Sequence, residues 1–157
     1  MKTNKPKSVK DFFLAVAFFA VIGVIAYGIA WLVRTEPVPG DIKVYSGQEE
    51  VMTLQRVIRE EKKREDVKEQ ARFEIEKDAE DFPVVQMQKS IMLEATQDPI
   101  SDMYYSVYDA DGNELYYREV RFTYPETAGT YYVVIDTMWG NRDHKFTTQH
   151  GFTLNIE

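Results

Sequence analysis

The chain contains no cysteine among its 157 residues. Disulfide bonds and a lipid-modified N-terminal cysteine are therefore excluded, so a folded domain must be stabilised by packing alone. The sequence also lacks a Gly-x-Ser-x-Gly elbow, a His-Glu-x-x-His helix and a glycine-rich phosphate loop. These absences argue against catalysis and against a bound cofactor, and we expect the protein not to be an enzyme.

Charge and proline are both absent from residues 12–33. Twenty-two helical residues would cover about 33 Å, which matches the roughly 30 Å hydrocarbon core of a bilayer. The run therefore predicts a transmembrane helix, with a buried core helix as the alternative. Ala26 and Ala30 have a small-xxx-small spacing, which allows close helix packing and formation of a homo-oligomer.

The charges around this run predict its orientation. Lysines at positions 2, 5, 7 and 10 precede it, which favours a cytoplasmic tail over residues 1–11. A secretory signal peptide cut after Ala30 is the alternative, but the apolar run continues through Val33. We therefore expect an uncleaved signal-anchor in a single-pass protein of the cell membrane, with an extracellular C-terminal domain.

The part that follows the apolar run is acidic. Residues 34–157 contain 15 Lys or Arg against 25 Asp or Glu, a net charge of −10. Nucleic-acid binding requires clustered Lys and Arg that face phosphates. This composition therefore excludes nucleic acid as the expected partner.

A linker and a helical stalk are predicted next. Residues 34–45 contain Pro37 and Pro39, which favour extended backbone. Ser46 and Glu49 have the spacing of a helix capping box, and neither proline nor glycine occurs from 48 to 82. Since charged residues fill the centre of this segment, we expect a solvent-exposed helical stalk over 46–82.

From Pro83 onward the pattern changes to short runs rich in Tyr, Val, Phe, Thr and Ile. Alternation over 103–108, 114–124 and 131–138, separated by turn residues, predicts six or seven strands and a small antiparallel β-sandwich over 83–157. The predicted fold class is therefore α+β and bitopic, with a transmembrane helix, a charged stalk and a C-terminal sandwich.

The segment Glu126 to Val133 carries a resemblance to a known family. Gly129 and Tyr131 lie where immunoglobulin-like domains of bacterial surface proteins place a tyrosine corner. Val133 stands at the position of the family cysteine. The resemblance implies a sandwich used for adhesion, binding or spacing, and it names no ligand.

Several polar groups have two interpretations. Asp109, Asp111 and Asn113 supply alternate oxygen ligands of the kind that calcium prefers, but Asp-Gly between two strands also predicts a hairpin turn. His144 and His150 are spaced by six residues, and no third metal ligand is placed beside them. Among carboxylates, Glu119 and Asp136 are the pair that an enzyme would use across strands.

Tyrosine is the most suggestive residue type for binding, since eight of the ten tyrosines follow Ile100. Cross-strand pairing within the sheet explains part of this enrichment, and an exposed interaction surface explains the rest. The expected partner-binding residues are Trp139 and Arg142, in a predicted exposed loop, together with Tyr131 and Tyr132.

Two classes of function remain. The first is a membrane-anchored, extracytoplasmic interaction module that presents the acidic, Tyr-rich sandwich to a protein or cell-envelope ligand. The second is a non-catalytic subunit or regulator of a membrane complex, acting through its transmembrane helix and stalk.

Overall fold

The computed structural model describes residues 9–32, 37–63 and 66–157. The chain divides into two units, Met1–Glu36 and Pro37–Glu157. The first contains helix α1 (Val9–Leu32). The described side chains of this helix are exposed apart from a half-buried Gly28.

The predicted transmembrane helix is corrected by the structure. Within the described ranges, no helix has both the length and the apolar character that crossing a bilayer requires. The bitopic fold class, the signal-anchor and the single-pass location in the cell membrane are therefore contradicted.

The second unit consists mainly of strands, with two short helical turns. The strands are β1 (Ile42–Ser46), β2 (Glu49–Met52), β3 (Leu54–Lys62), β4 (Asp66–Glu69), β5 (Val84–Gln86), β6 (Ile91–Ala95), β7 (Tyr104–Tyr108), β8 (Glu114–Glu119), β9 (Gly129–Gly140) and β10 (His144–Ile156). Helix α2 (Ile75–Asp78) and a 3₁₀ turn (Ala79–Asp81) lie between β4 and β5.

The helical stalk over 46–82 is also wrong, because this segment contains the strands β2, β3 and β4, and its only helices are the short α2 and the 3₁₀ turn among the described residues. Ser46 does not cap a helix; its Oγ donates to the carbonyl of Gln86 at 2.6 Å and accepts from the amide of Gln88 at 3.0 Å. Gly47, with a φ of 62°, turns the chain from β1 into β2. Pairing of β2 with β1 and of β3 with β10 outweighs the local helix signal, since tertiary contacts commonly override propensity.

The charged centre of the predicted stalk forms an exposed edge hairpin. Arg59 lies opposite Glu69, and Glu60 lies opposite Lys68, in the register of β3 and β4. Opposite charges therefore meet across strands instead of along a helix face. A solvent-exposed hairpin therefore accommodates these charged residues as well as a helical stalk would.

Two sheets build the unit. The smaller has the order β2-β1-β6, and the larger has the order β4-β3-β10-β9-β7-β8, with β5 pairing in parallel to β10. The two sheets share a core of buried apolar side chains, which includes Ile42, Val44, Val107, Val133, Ile135, Trp139, Phe152 and Leu154. The general prediction of a β-sandwich is thus confirmed.

The other face of the large sheet is partly covered by the segment between β4 and β5. Phe82 packs there with Val134 and Ala79 in a second apolar cluster. A Cβ atom on Gly151 would collide with the ring of Phe82, so glycine at this position lets the ring approach the backbone of β10. The rest of this face remains open and carries the candidate site.

Candidate functional site

The structure places Trp139 in the core and not in an exposed loop. The indole is fully buried, and its Nε1 donates to Thr148 Oγ1 at 2.7 Å. Trp139 belongs to β9, which continues to Gly140, so the predicted loop begins only after it. Arg142 does lie exposed, in the turn between β9 and β10. The two residues therefore do not form one surface patch.

Neighbouring residues Tyr131 and Tyr132 lie on opposite faces of the large sheet. Tyr131 is buried in the sandwich core, where its hydroxyl donates to the carbonyl of Thr127 at 3.1 Å and lies 2.8 Å from Thr127 Oγ1. Tyr132 is half-buried on the other face and meets Phe82 edge to face. Only Tyr132 is therefore available to a partner.

Asp109, Asp111 and Asn113 form a hydrogen-bonded turn. The Asp109 carboxylate accepts from the amides of Asp111 at 3.0 Å and Asn113 at 2.8 Å, and from the side-chain amide of Asn113 at 2.9 Å. These bonds, led by the Asn113 side chain, lower the pKa of Asp109. Both carboxylate oxygens thus serve the turn, and the described residues hold no group of three metal ligands.

The two histidines have separate environments. His144 Nε2 lies 2.7 Å from Glu60 Oε1, and its ring contacts the Phe146 ring at a tilt of 40° with the centroids 4.4 Å apart. His150 is fully buried between Thr53 Oγ1 at 3.1 Å and Thr148 Oγ1 at 2.9 Å. Burial lowers the pKa of His150 to about 4, so this imidazole is neutral at physiological pH. Neither histidine lies in an exposed loop.

The structure also separates the two carboxylates that were considered as a catalytic pair. Glu119 is exposed on β8, whereas Asp136 is buried on β9, and β7 lies between these strands. Asp136 is held by Arg72, whose Nη1 donates to Oδ1 at 3.0 Å and to Oδ2 at 3.2 Å. Asp136 therefore fixes the segment that covers this face of the sheet.

The two alanines predicted to pack against a neighbouring helix both belong to α1. Ala26 is exposed on α1, and the side chain of Ala30 lies outside the described residues. The membrane setting assumed for this pair is contradicted, because no described helix qualifies as a span, whereas helix packing through the two alanines stays a prediction.

The eight C-terminal tyrosines divide between the two faces of the large sheet. Four are packed in or against the sandwich core: Tyr105, Tyr116, Tyr124 and Tyr131. The other four we call the tyrosine face: Tyr104, Tyr108, Tyr117 and Tyr132. Tyr108 lies directly opposite Tyr132 in the register of β7 and β9, and Tyr104 lies opposite Asp136. The alternation along β7 predicts part of this division, because residues separated by an even number of positions on a strand, such as Tyr104 and Tyr108, point to the same face.

The edge strand β8 supplies the most exposed part of this region. Tyr117 is 63% exposed, and Leu115, two residues before it on the same strand, is 43% exposed. Irregularities in the pairing of β7 with β8 place Arg118 at a φ of 49°, with its guanidinium 5.0 Å from the Tyr104 ring centroid. The face therefore combines one exposed ring, three half-buried rings and a nearby cation.

A groove lies beside Tyr132, between helix α2 with its 3₁₀ turn and the loop after β7. We call it the turn groove; its volume is about 490 Å³. Apolar lining comes from Ile75 and Ala79, and carboxylates come from Glu76, Glu80 and Asp111. Sequence reasoning missed this groove because it depends on the chain between β4 and β5 folding back over the sheet.

Comparison with known proteins gave no match to a family model, to a curated protein or to a solved structure.

Proposed function

We propose that this protein is a non-catalytic interaction module that binds a protein partner through the tyrosine face. The observation that carries the proposal is the 63% exposure of Tyr117 on the edge strand β8, where Leu115 is also 43% exposed. An exposed aromatic ring offers a partner apolar area that can be buried on binding. Tyrosine is enriched at interfaces because its ring supplies buried area and its hydroxyl keeps a polar contact.

The irregular shape of β8 favours a partner that contacts its side chains, and it disfavours a partner strand that would hydrogen-bond to its backbone. The pairing between β7 and β8 shifts twice, and Arg118 has a left-handed conformation. Bulges of this kind twist an edge strand away from regular pairing with another chain. The partner is therefore expected to rest on the exposed rings and not to extend the sheet.

Replacing Tyr117 with serine tests this proposal. A photocrosslinking amino acid at position 117 first recovers the partner from intact cells, and the affinity of the purified pair is then measured. Removal of an exposed aromatic anchor costs about 1–2 kcal/mol in a typical interface. We therefore expect the Tyr117→Ser variant to bind about 5- to 30-fold more weakly, with an unchanged melting temperature.

Met92→Ser is the matched control. Met92 is 58% exposed, but it belongs to β6 in the small sheet. We expect this variant to bind the partner as the native chain does, and a crosslinker at 92 to give no comparable product. Equal crosslinking from both positions, or full affinity in Tyr117→Ser, would contradict the proposal.

We further propose that the sandwich is of the immunoglobulin-like type. The support is the bond from the Tyr131 hydroxyl back to the carbonyl of Thr127, which has the geometry of a tyrosine corner at the start of a long strand. The strand orders depart from the usual sheets of four and three strands, since the sheets here have three and seven. The proposal of an immunoglobulin-like sandwich therefore rests on the tyrosine corner and not on the strand order.

The corner is tested by Tyr131→Phe, which removes one hydroxyl and leaves the ring. A net hydrogen bond contributes about 1 kcal/mol, so we expect the free energy of unfolding to fall by about that amount in a urea titration. Tyr116→Phe is the control, because Tyr116 packs on the same core and has no hydrogen-bonded hydroxyl among the described residues. Equal stability of the two variants would remove the support for a corner.

A further inference from the structure

We propose that the turn groove receives a lysine or arginine side chain from a basic segment of the partner. This inference rests on the proposed function and adds the chemistry of the partner to it. The groove adjoins the tyrosine face because Tyr132 belongs to both. A partner that covers Tyr108 and Tyr132 therefore also reaches the groove.

The lining of the groove matches the two parts of a long basic side chain. Ile75 and Ala79 offer apolar contacts for a methylene stem, and the half-buried ring of Tyr132 offers an aromatic surface for the cation. Lys and Arg commonly bury their stems while the charged end stays near water. A cation close to a tyrosine ring gains about 0.5–1 kcal/mol at an exposed site.

The charges of the groove favour a cation. Glu76, Glu80 and Asp111 are exposed, and none of them forms a salt bridge within 4 Å among the described residues. The one cation in the lining, Lys77, is already paired with Glu74, which does not line the groove. The groove is therefore lined by three carboxylate residues and by one lysine whose ammonium is already paired.

The charge of the surrounding unit acts in the same direction. Residues 37–157 contain 14 Lys or Arg against 24 Asp or Glu, a net charge of −10. A negative field of this kind attracts basic partners at long range and repels acidic ones. We therefore infer a basic segment, and exclude an acidic one, as the occupant of the groove.

The test uses the full chain and a defined probe, N-acetylated and C-amidated hexalysine, in an NMR titration at low salt. We expect the largest amide shifts at residues 76–80 and 110–113, which flank the groove. The variant Glu76→Gln, Glu80→Gln, Asp111→Asn keeps the shape of the lining and removes its charge. We expect it to bind the peptide about tenfold more weakly.

The control variant Glu49→Gln, Asp98→Asn, Asp102→Asn removes the same charge from exposed residues that do not line the groove. We expect it to bind hexalysine within threefold of the native chain. Equal weakening in both variants would show attraction by net charge alone and would overturn the inference. So would shifts that avoid the groove.

Failure of this inference can be told apart from failure of the proposed function. The crosslinked partner is titrated against the groove variant and against Tyr117→Ser. If only Tyr117→Ser weakens binding, the tyrosine face is an interface and the groove proposal is wrong. If neither variant weakens binding, the proposed function itself is wrong.

Discussion

Replacing Trp139 with alanine is expected to lower the free energy of unfolding by about 3–5 kcal/mol, the range found for large aromatic residues in cores. The indole is fully buried, and Gly40 packs so closely on it that an added Cβ would lie 2.6 Å from Cζ3. Loss of the ring would leave a cavity and a buried Thr148 hydroxyl without its donor. Total stabilities of domains are about 5–15 kcal/mol, so much of the margin would disappear.

Urea unfolding followed by far-UV circular dichroism measures this effect without relying on tryptophan emission. Trp139→Phe is the matched variant, because it keeps an aromatic ring and removes the donor to Thr148. We expect it to lose about 1–3 kcal/mol, clearly less than alanine. A loss below about 1 kcal/mol in Trp139→Ala would mean that the residue is exposed, as the loop prediction assumed.

Acidification from pH 6.5 to about 4 is expected to remove up to about 3 kcal/mol of stability through His150. Burial lowers the pKa of this imidazole in the folded chain from 6.5 to about 4. Between these values the unfolded chain binds more protons than the folded chain, so the free energy of unfolding rises with pH across this window. The magnitude follows from about 1.4 kcal/mol for each unit of pKa.

The readout is the slope of stability against pH, not its absolute value. We expect His150→Gln to flatten the slope between pH 4 and 6.5, because glutamine keeps polar contacts and does not titrate. Asp78 and Asp109 have lowered pKa values, set first by the Arg56 and Asn113 side chains, so their contributions are lost only below about pH 4. A slope unchanged in His150→Gln would contradict the assignment.

Secondary structure was predicted more accurately in the tyrosine-rich C-terminal half of the chain than in the preceding segment. Strict alternation over 103–108 and the Asp109 to Asn113 turn predicted strands and a hairpin, and the structure has both. The enrichment in tyrosine predicted an interaction surface, but it did not predict which tyrosines belong to that surface. Of the two tyrosines singled out, Tyr131 lies in the core and Tyr132 on the open face, because neighbours on a strand face opposite sides.

The candidate site itself was predicted only in part. Tyr132 and Asp111 were named from the sequence, whereas Glu76, Glu80 and Tyr117 gained meaning from their positions around the groove and on β8. Arg72 and Asp136 are 64 residues apart and meet because a covering segment crosses the sheet. No local pattern indicates such a contact, since a salt bridge between distant segments depends on the path of the chain between them.

The sequence by itself determined what is local or compositional: folding without disulfides, an acidic body, alternating strands after residue 83 and the turns between them. Tertiary structure decided which segments outside this region form strands and which side chains are buried. Residues 49–52 and 54–62 read as helix by propensity, yet they form β2 and β3, because β2 pairs with β1 and β3 pairs with β10 across the sheet. Burial against distant strands contributes kilocalories, whereas local propensities contribute tenths for each residue, so the long-range contacts prevail.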